Sequence, residues 1–457
     1  MKKILEKVAK KITPPKKEIE AQKKLAREIT EKITAMKGGH VGVELAGSLC
    51  RGTHLRGDND LDIFVFFPPE LSRNEFEKEG LRIGKAIFRG HKWEKAYSEH
   101  PYIRGKIGGF DVEIVPAYKI KDASMLKSSV DRTTFHNQYL LGRLTERHKN
   151  DVRLLKQFLK GIKAYGADLK ANSVPGYVAE LLVLNYGSFE NTARAMAEWK
   201  NNEVIDIEKQ LSENDARKKF DSPLIIVDPV DLNRNVAAAL SVDQFARIIA
   251  ASRAFIKKPK EKFFFGAKQK TLPVSAAKKL VEKEGLITIE IGYPKGEISD
   301  VLWGQIRRLS KKIGSALEMR DFKLIRSAVW SDEEKSIILI FDLEANRLEK
   351  VMKRTGPEVT NKEHSEQFLK AHKNALSGPR IEKGRWVAEI ERVHWKATEY
   401  IKKMLSQLRK TERAGIRKAL NKKSKVLSDP EVIAKYKKEK EFCEWFSTYL
   451  RGKEEFD

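Results

Sequence analysis

The hydrophobic pattern of the first 120 residues predicts helices followed by a small mixed sheet. Apolar residues recur at helical spacing to about residue 36, with a break at Pro14-Pro15, and Gly38-Gly39 ends this run. Residues 41–46 are predicted as the first strand, and another strand begins at Asp60. The later predicted elements are a helix over 72–90, a strand over 92–98, and a hairpin of 102–106 and 110–115 that turns at Gly108-Gly109.

From about residue 131 to 260 the pattern becomes mainly helical. Amphipathic spacing over 152–162 and an apolar run over 179–183 predict two packed helices. Tyr165-Gly166 is predicted to end the first of them. Asp228-Pro229 breaks the chain before a helix over 237–255, and Pro259 with its neighbouring lysines predicts a linker.

Beyond this linker, strand and helix patterns alternate in a recognisable order. The predicted elements are a strand over 286–293, a helix over 298–317, strands over 322–330 and 337–343, a helix over 364–373 and a strand over 386–390. The order is β-α-β-β-α-β, a ferredoxin-like arrangement that many RNA-binding domains share. Topology alone does not assign a function.

The last 65 residues or so are predicted to be helical and strongly basic. A solvated helix face and a surface that follows RNA phosphates both explain such a run of charge. The basic residues of this run are Lys402, Lys403, Arg409, Lys410, Arg413, Arg417, Lys418, Lys422, Lys423 and Lys425.

Composition narrows the class of protein. The 457 residues carry 90 Lys and Arg against 64 Asp and Glu, a net charge of +26, which favours a polyanionic partner. A lysine-rich, salt-bridged surface of the thermophilic kind is the alternative. Two cysteines cannot build a disulfide framework or a zinc site, and no apolar run is long enough to span a membrane, so a cytoplasmic location is expected.

Candidate chemistry concentrates between residues 47 and 66. Strand periodicity places Asp60 and Asp62 on the same face, where two carboxylates repel each other unless a cation sits between them, and Mg²⁺ is the expected cation. Gly47 permits a tight turn, and the backbone and hydroxyl of Ser48 can bind phosphate oxygens. The segment lacks the Gly-Lys-Ser/Thr of a Walker loop, and no helix is expected directly after it.

A second strand supplies further carboxylates. Asp111 and Glu113 alternate along the strand over 110–115 and therefore share a face. Arg51 has donors that suit a triphosphate, although an ion pair with Asp58 or another nearby carboxylate would also explain it. Together these residues predict a two-metal site for nucleotidyl transfer.

These motifs resemble the polymerase-beta-like nucleotidyltransferase superfamily, and in detail the archaeal-type, class I CCA-adding enzymes, the tRNA nucleotidyltransferases. The segments that carry the resemblance are Gly47-Ser48 with Asp60-Leu61-Asp62, Glu99-His100-Pro101-Tyr102, residues 111–118, residues 131–136, Tyr165-Gly166-Ala167, Val227-Asp228-Pro229 and Arg234-Asn235-Val236-Ala237. They span roughly the first 260 residues, and the later part of the chain matches more diffusely.

The resemblance implies roles for individual residues. The family's third catalytic carboxylate falls on Glu113, where an Asp is usual, and Asp111 remains the alternative. Ser48, Arg51 and Lys156 would contact the triphosphate, Thr133 and Tyr165 the sugar, and Arg234 the base edge, with His136 also lining the pocket. Residue type alone explains Thr133 equally well as a helix N-cap and Tyr165 as a core residue.

The expected architecture is α+β and multidomain. It comprises a palm-like catalytic head over residues 1–146, a helical central domain over 147–262, and a tRNA-binding body and tail over 263–457, with the ferredoxin-like part at about 285–392 and basic helices over 393–457. The family commonly dimerises through its tail, so a homodimer is a further expectation.

The expected reaction is addition of C, C and A from CTP and ATP to the 3′ end of immature or damaged tRNA, with Mg²⁺, while the tail holds the acceptor stem and T arm. Two alternatives stay open. One is a poly(A) or oligoadenylate polymerase with the same carboxylates. The other is an RNA-binding protein whose transferase head is inactive.

Overall fold

The computed structural model describes residues 1–97, 99–122, 125–166, 172–266, 271–283 and 285–454. Ser98 of the predicted strand over 92–98 and Ala167 of the Tyr165-Gly166-Ala167 segment lie outside these residues. The chain divides into two compact units, Met1–Lys268 with Glu454–Asp457, and Gln269–Lys453.

The first unit begins with helices and a mixed sheet and continues with a second group of helices. Its helices are α1 (Lys2–Ile12), α2 (Lys16–Thr34), α3 (Gly47–Arg51), α4 (Arg73–Ile87), α5 (Arg132–Leu141), α6 (Glu146–Gly161), α7 (Gly176–Tyr186), α8 (Phe189–Glu198), α9 (Glu213–Lys219), α10 (Val242–Lys257) and α11 (Lys262–Phe265). Its strands are β1 (Gly42–Leu45), β2 (Asp60–Phe67), β3 (Trp93–Tyr97), β4 (Pro101–Ile107), β5 (Phe110–Tyr118), β6 (Glu203–Ile205), β7 (Leu224–Asp228) and β8 (Asp231–Asn235).

The predicted mixed sheet is confirmed, with strand order β1-β2-β5-β4-β3. β2 and β5 are parallel, and the other pairs are antiparallel. The hairpin of β4 and β5 turns at Gly108 and Gly109, whose φ angles of +59° and +87° favour glycine. The break between α1 and α2 falls at Pro14-Pro15, as the sequence indicates.

One face of this sheet is covered by α2 and α4 and forms an apolar core. α4 approaches the strands so closely that a Cβ at Gly84 would lie 2.7 Å from Ile103, and one at Gly80 would lie 2.7 Å from Pro116. Larger residues at these two positions would push the helix away from the sheet. These two helices leave the opposite face of the sheet free to carry catalytic side chains.

The region predicted to be mainly helical, residues 147–262, also contains three strands that the sequence analysis does not predict. β6, β7 and β8 form a three-stranded sheet beside the helices. The run from Leu224 to Val227 is completely buried, and short buried strands of this kind show no alternation that would separate them from helix. The last long helix begins at Val242, not at residue 237, because the Ser241 side chain caps it by accepting from the Gln244 N–H at 3.2 Å.

The second unit combines a four-stranded sheet, a three-stranded sheet and helices. Its helices are α12 (Val274–Val281), α13 (Ser299–Glu318), α14 (Lys362–Ala371), α15 (Ala397–Thr411), α16 (Ala414–Lys422), α17 (Asp429–Lys438) and α18 (Lys440–Arg451). Its strands are β9 (Leu286–Gly292), β10 (Leu324–Ser331), β11 (Ser336–Leu343), β12 (Val351–Glu358), β13 (Ser377–Glu382), β14 (Arg385–Glu391) and β15 (Ser424–Leu427).

The ferredoxin-like arrangement is confirmed, but its fourth strand was assigned wrongly. The sheet order is β10-β11-β9-β15, all antiparallel, so the edge strand next to β9 is β15. The sequence assigns that place to 386–390, which instead belongs to the separate sheet β12-β14-β13 beside α14. β11 is buried along its whole length, because α13, α15 and α16 cover one face of the sheet and α12, α17 and α18 cover the other.

Helices long and apolar enough to cross a bilayer are not found among the residues that the structure describes.

Stability is expected to depend on the protonation of His54. This side chain is 3% exposed, and burial, together with the neighbouring cation Arg153, lowers its pKa from 6.5 to about 4. Between these values the unfolded chain binds the proton and the folded chain does not, so stability falls as the pH drops from 6.5 towards 4. The loss reaches about 3 kcal/mol for a shift of this size.

Thermal unfolding of the wild type and of His54→Gln across this pH range measures the effect. The difference between the two stability curves should change with a midpoint between pH 4 and 6.5. Curves that stay parallel throughout the range would contradict the account.

Candidate active site

The register of two parallel strands gathers four carboxylates on one face of the first sheet. Asp60 of β2 pairs with Asp111 of β5, and Asp62 pairs with Glu113. The intervening Leu61 and its partner Val112 are fully buried in the core on the opposite face. The predicted alternation of faces is therefore confirmed, and it brings two sequence-distant pairs side by side.

These carboxylates disfavour each other's charge. Burial raises the pKa of Asp62, and Asp60 raises it further. Burial also raises the pKa of Glu113, with the next contribution from Asp62, to about 7. The pKa of Asp60 is raised by burial and by the neighbouring Asp58 and Asp111. The chain itself therefore does not fully compensate the negative charge of the group, and its carboxyls take up protons more readily than isolated ones.

Asp111 and Glu113 have different partners. The Asp111 carboxylate pairs with Lys106 at 3.2 Å. Among the described residues, Glu113 accepts a long hydrogen bond of 3.5 Å from the Tyr102 hydroxyl, is repelled by Asp62 and is attracted more weakly by Arg104 on β4. Glu113 thus has a cation nearby but, unlike Asp111, makes no ion pair with a described residue.

The carboxylates line an open cleft of about 830 Å³. Ser48 lines the same cleft, and so do three basic residues of β4 and its neighbourhood, Lys92, Arg104 and Lys106. The cleft is thus lined by both anionic and cationic groups. No group of three described His, Cys, Asp or Glu residues is arranged tightly enough to hold a metal ion unaided.

Gly47 brings the Ser48 segment against Asp62. Its φ of +70° favours glycine, and a Cβ there would lie 1.9 Å from Asp62 Oδ2. The expectation that no helix follows directly is wrong, because the five-residue helix α3 begins at Gly47 itself. This short helix places Ser48 and Arg51 one turn apart, and therefore on one face.

Arg51 is buried and bound to a carboxylate from a distant helix. Its Nε and Nη2 atoms each lie 3.0 Å from Oε2 of Glu180 on α7, and Nη1 donates to Asn137 Oδ1. Burial would lower the pKa of Arg51, but Glu180 holds it raised. The predicted alternative of an ion pair describes this state, with Glu180 as the partner and not Asp58.

Lys156 joins the same cluster. Its Nζ donates to Thr53 O and Thr53 Oγ1 at 3.2 Å and to Glu180 Oε1 at 3.4 Å. Thr53 Oγ1 donates to the same Glu180 oxygen. We call Arg51, Thr53, Lys156 and Glu180 the Glu180 cluster; Arg51 and Lys156 are the two predicted triphosphate-binding cations.

A second buried carboxylate holds two more predicted residues. Asp228 Oδ2 lies 2.9 Å from both Nε2 of His136 and Nη1 of Arg234. The His136 ring stacks on Tyr177 with 4.0 Å between ring centroids. Burial would raise the pKa of Asp228, but hydrogen bonding to His136 keeps it below its usual value. Arg234 keeps 37% of its side chain exposed, so part of it faces outward.

Thr133 and Tyr165 are the two residues that are predicted to contact the sugar. Thr133 lies inside α5 and Asp131 occupies its N-cap, so the N-cap reading of Thr133 is wrong. Tyr165 pairs with Val174 in an isolated bridge, and α6 ends before it, at Gly161. The Tyr165 hydroxyl would lie 3.1 Å from a Cβ at Gly176, which places it beside the start of α7.

Sequence reasoning missed Glu180, Asn137 and Tyr177 and gave Asp228 no role. For Glu180 a signal existed, because it is the single charged residue between Val178 and Val183 in an apolar helix. A carboxylate that is completely buried needs cationic or hydrogen-bonding partners. Two of those partners, Arg51 and Thr53, lie more than 100 positions earlier in the chain, so the sequence alone could not identify them.

Replacing Gly47 by alanine tests the close approach to Asp62. Gly57 also has a positive φ, +80°, but its Cβ would meet no atom within 4 Å. Gly57→Ala should therefore lower the free energy of unfolding by about 1 kcal/mol from backbone strain alone. Gly47→Ala should add a further loss of about 1–3 kcal/mol, because the new methyl group collides with the Asp62 carboxylate.

Denaturant unfolding of both variants measures the difference. Equal losses for the two variants would show that the contact between Gly47 and Asp62 does not constrain the site.

Three family models match the chain in succession. A nucleotidyltransferase domain matches residues 23–137, the second domain of tRNA nucleotidyltransferase matches residues 150–265, and the C-terminal domain of the CCA-adding enzyme matches residues 285–429.

Curated relatives extend over most of the chain. A CCA-adding enzyme from Methanosarcina mazei is 35% identical over 408 residues, covering 88% of this chain and 88% of the relative. Those from Methanothermobacter thermautotrophicus and Archaeoglobus fulgidus are 36% and 37% identical, covering 89% and 84% of this chain and 88% and 85% of each relative. Together with the carboxylates and the clusters behind them, these matches show that the chain belongs to the CCA-adding enzyme family of nucleotidyltransferases.

Proposed function

We propose that this nucleotidyltransferase adds C, C and A, from CTP and ATP, to the 3′ end of immature or damaged tRNA. The observation that carries the proposal is the shared face of Asp60, Asp62 and Glu113 beside Ser48, in a chain of this family. In the reaction the tRNA 3′-oxygen bonds to the α-phosphorus of the nucleotide. The bond between the α-phosphorus and the pyrophosphate group breaks, and the hydroxyl proton passes to Glu113 or to water.

The carboxylate group fits divalent cations. Asp60, Asp62 and Glu113 offer oxygen ligands only, which Mg²⁺ prefers, and their raised pKa values indicate negative charge in need of a counter-ion. These three residues would hold Mg²⁺, with Glu113 favoured over Asp111 because Asp111 already pairs with Lys106. Two such ions would supply activation of the attacking hydroxyl and stabilisation of the leaving pyrophosphate.

Ser48 and Arg51 bind the triphosphate in this proposal. Ser48 lies on the cleft beside the carboxylates, and Arg51 follows it by one helical turn. Lys156 donates hydrogen bonds to Thr53 and adds positive charge near the triphosphate. Thr133 and Tyr165 hold the sugar.

Arg234 reads the base edge, and His136 lines the same pocket. Asp228 engages only one terminal nitrogen of Arg234 and leaves the other donors of its planar guanidinium for a base. Cytosine and adenine present a different donor and acceptor pattern from uracil, so a fixed arginine can select without a nucleic-acid template.

The second unit supplies the tRNA-binding surface, holding the acceptor stem and T arm. Half of the basic residues singled out at the C-terminus pair with neighbouring groups, such as Lys425 with Glu431. The others are exposed, and their side chains make no hydrogen bond or ion pair with any described residue: Lys402, Lys403, Lys410, Arg413 and Arg417. Exposed cations without partners suit phosphate contacts along an A-form stem.

The domain organisation is part of the proposal: a catalytic head over 1–146, a central domain over 147–262 and a body and tail over 263–457. The ranges of the three matched models support it, and the ferredoxin-like sheet of the body extends to β15. Homodimerisation and a cytoplasmic location stay predictions from the family resemblance and from the cysteine content.

Substitution of the carboxylates tests the chemistry. Asp60→Ala, Asp62→Ala or Glu113→Gln should lower nucleotide incorporation by more than the ~10–100-fold typical of partners outside the metal shell. Asp111→Ala is the matched control, since it lies on the same face but pairs with Lys106, and it should keep most of the turnover. Incorporation of labelled CTP and ATP into tRNA ending at the discriminator base measures this.

Binding of tRNA, followed by gel shift, should persist in all four variants. Wild-type turnover in Asp62→Ala would refute the metal assignment, and loss of activity in Asp111→Ala but not in Glu113→Gln would exchange their roles. An unbroken A tail from the wild type would indicate a poly(A) polymerase instead.

A further inference from the structure

Glu180 is a fully buried carboxylate with no part in the proposed reaction. It lies on α7, 129 residues after Arg51, and its two oxygens receive Arg51, Lys156 and Thr53. A buried charge is retained only where its partners compensate for the loss of water. This arrangement therefore ties α3, α6 and α7 together at the predicted triphosphate site.

The contacts of Arg51 use some of its N–H donors and leave others without an acceptor among the described residues. A guanidinium has five N–H groups in a fixed plane. Nε and Nη2 face Glu180, and Nη1 donates to Asn137, so the plane of the guanidinium is set from two sides. One N–H on each terminal nitrogen is left for another acceptor. Asp62 is close enough to act on the charge of Arg51, so the guanidinium lies within electrostatic range of the carboxylate group.

Lys156 is saturated by the same cluster. Its three hydrogen bonds to Thr53 and Glu180 use the three donors of an ammonium group. With only 2% of its side chain exposed, Lys156 offers no donor to a ligand in this state. Of the two cations in the cluster, Arg51 alone retains N–H groups for a phosphate.

We propose that Glu180 is a positioning residue that orients Arg51 towards the triphosphate of the incoming nucleotide. The inference rests on the proposed function, since it concerns the affinity of the same site for CTP and ATP. Glu180 acts through Arg51 and does not touch the nucleotide.

Charge and orientation predict opposite results when Glu180 becomes neutral. Two cations and one carboxylate give the cluster a net charge of about +1, and Glu180→Gln would raise it to about +2. If only net charge mattered, the variant would bind a triphosphate more tightly. If Glu180 sets the direction of Arg51, the variant binds more weakly, because a neutral amide holds a guanidinium less firmly.

Steady-state kinetics of Glu180→Gln in the full-length chain distinguish the effect of net charge from the effect of Arg51 orientation. We expect KM for both CTP and ATP to rise about tenfold to a hundredfold, the range expected for hydrogen bonds to charged groups. KM for tRNA should stay within about twofold, and the inhibition constant of inorganic pyrophosphate should rise in parallel with KM for nucleotide. An unchanged or lower KM for nucleotide would overturn the proposal.

A double-mutant cycle tests whether the effect passes through Arg51. In an Arg51→Ala background, Glu180→Gln should leave KM for nucleotide unchanged, since no guanidinium remains to be oriented. Effects that multiply independently would show that Glu180 acts by another route and would also overturn the proposal.

Loss of a buried charge can also unfold the chain, so a second variant is needed. Glu180→Asp keeps the charge but is one methylene too short to hold both nitrogens of Arg51, so it should lower the melting temperature less than Glu180→Gln and, at temperatures where it stays folded, raise KM for nucleotide. A wild-type KM in a folded Glu180→Asp would contradict the proposal. Failure of the proposed function is recognised separately, because the wild type would then add no C or A to tRNA.

Discussion

The candidate site depends on carboxylates that strand register holds side by side against their mutual repulsion. β2 and β5 run parallel, so the residues of each pair stand side by side, and alternation sends Asp60, Asp62 and Glu113 to the face opposite the core. A one-residue slip of β2 would turn Leu61 out of the core, and a slip of β5 would turn out Val112. The buried apolar face thus stabilises an arrangement of charges that would be unfavourable by itself.

Two buried carboxylates bind four of the residues that are predicted to contact the nucleotide. Glu180 binds Arg51 and Lys156, and Asp228 binds His136 and Arg234. Four of the predicted nucleotide-binding residues are thereby held by carboxylates of the chain itself. Side chains fixed in this way lose little freedom when a nucleotide binds, which favours both affinity and selection.

Much of the fold could be predicted from local signals. Pro14-Pro15, the glycines of the β4–β5 hairpin and the alternation around Asp60 each act over a few residues, and each prediction is confirmed. The strand β7 was missed because a short, fully buried apolar run has no period. The fourth strand of the ferredoxin-like sheet was misassigned because an inserted sheet, β12-β14-β13, supplies a strand of similar pattern earlier in the chain.

Some residues of the candidate site could also be predicted from local signals, and others could not. Asp60, Asp62 and Glu113 could be proposed because strand periodicity and the family resemblance agree on them. Glu180 could not be joined to Arg51, since an ion pair across 129 residues depends on how α7 packs against α3 and α6. Local chemistry predicts which residues carry charge, and tertiary packing decides which charges meet.

Thermal unfolding of the wild type and of Asp62→Asn tests most directly whether the carboxylate face binds divalent cations. In EDTA the variant should unfold at the higher temperature, because one of the repelling charges is gone. In excess Mg²⁺ the order should reverse, since bound cation stabilises only the wild type. Equal stabilisation of both proteins by Mg²⁺, or a less stable variant in EDTA, would contradict the account.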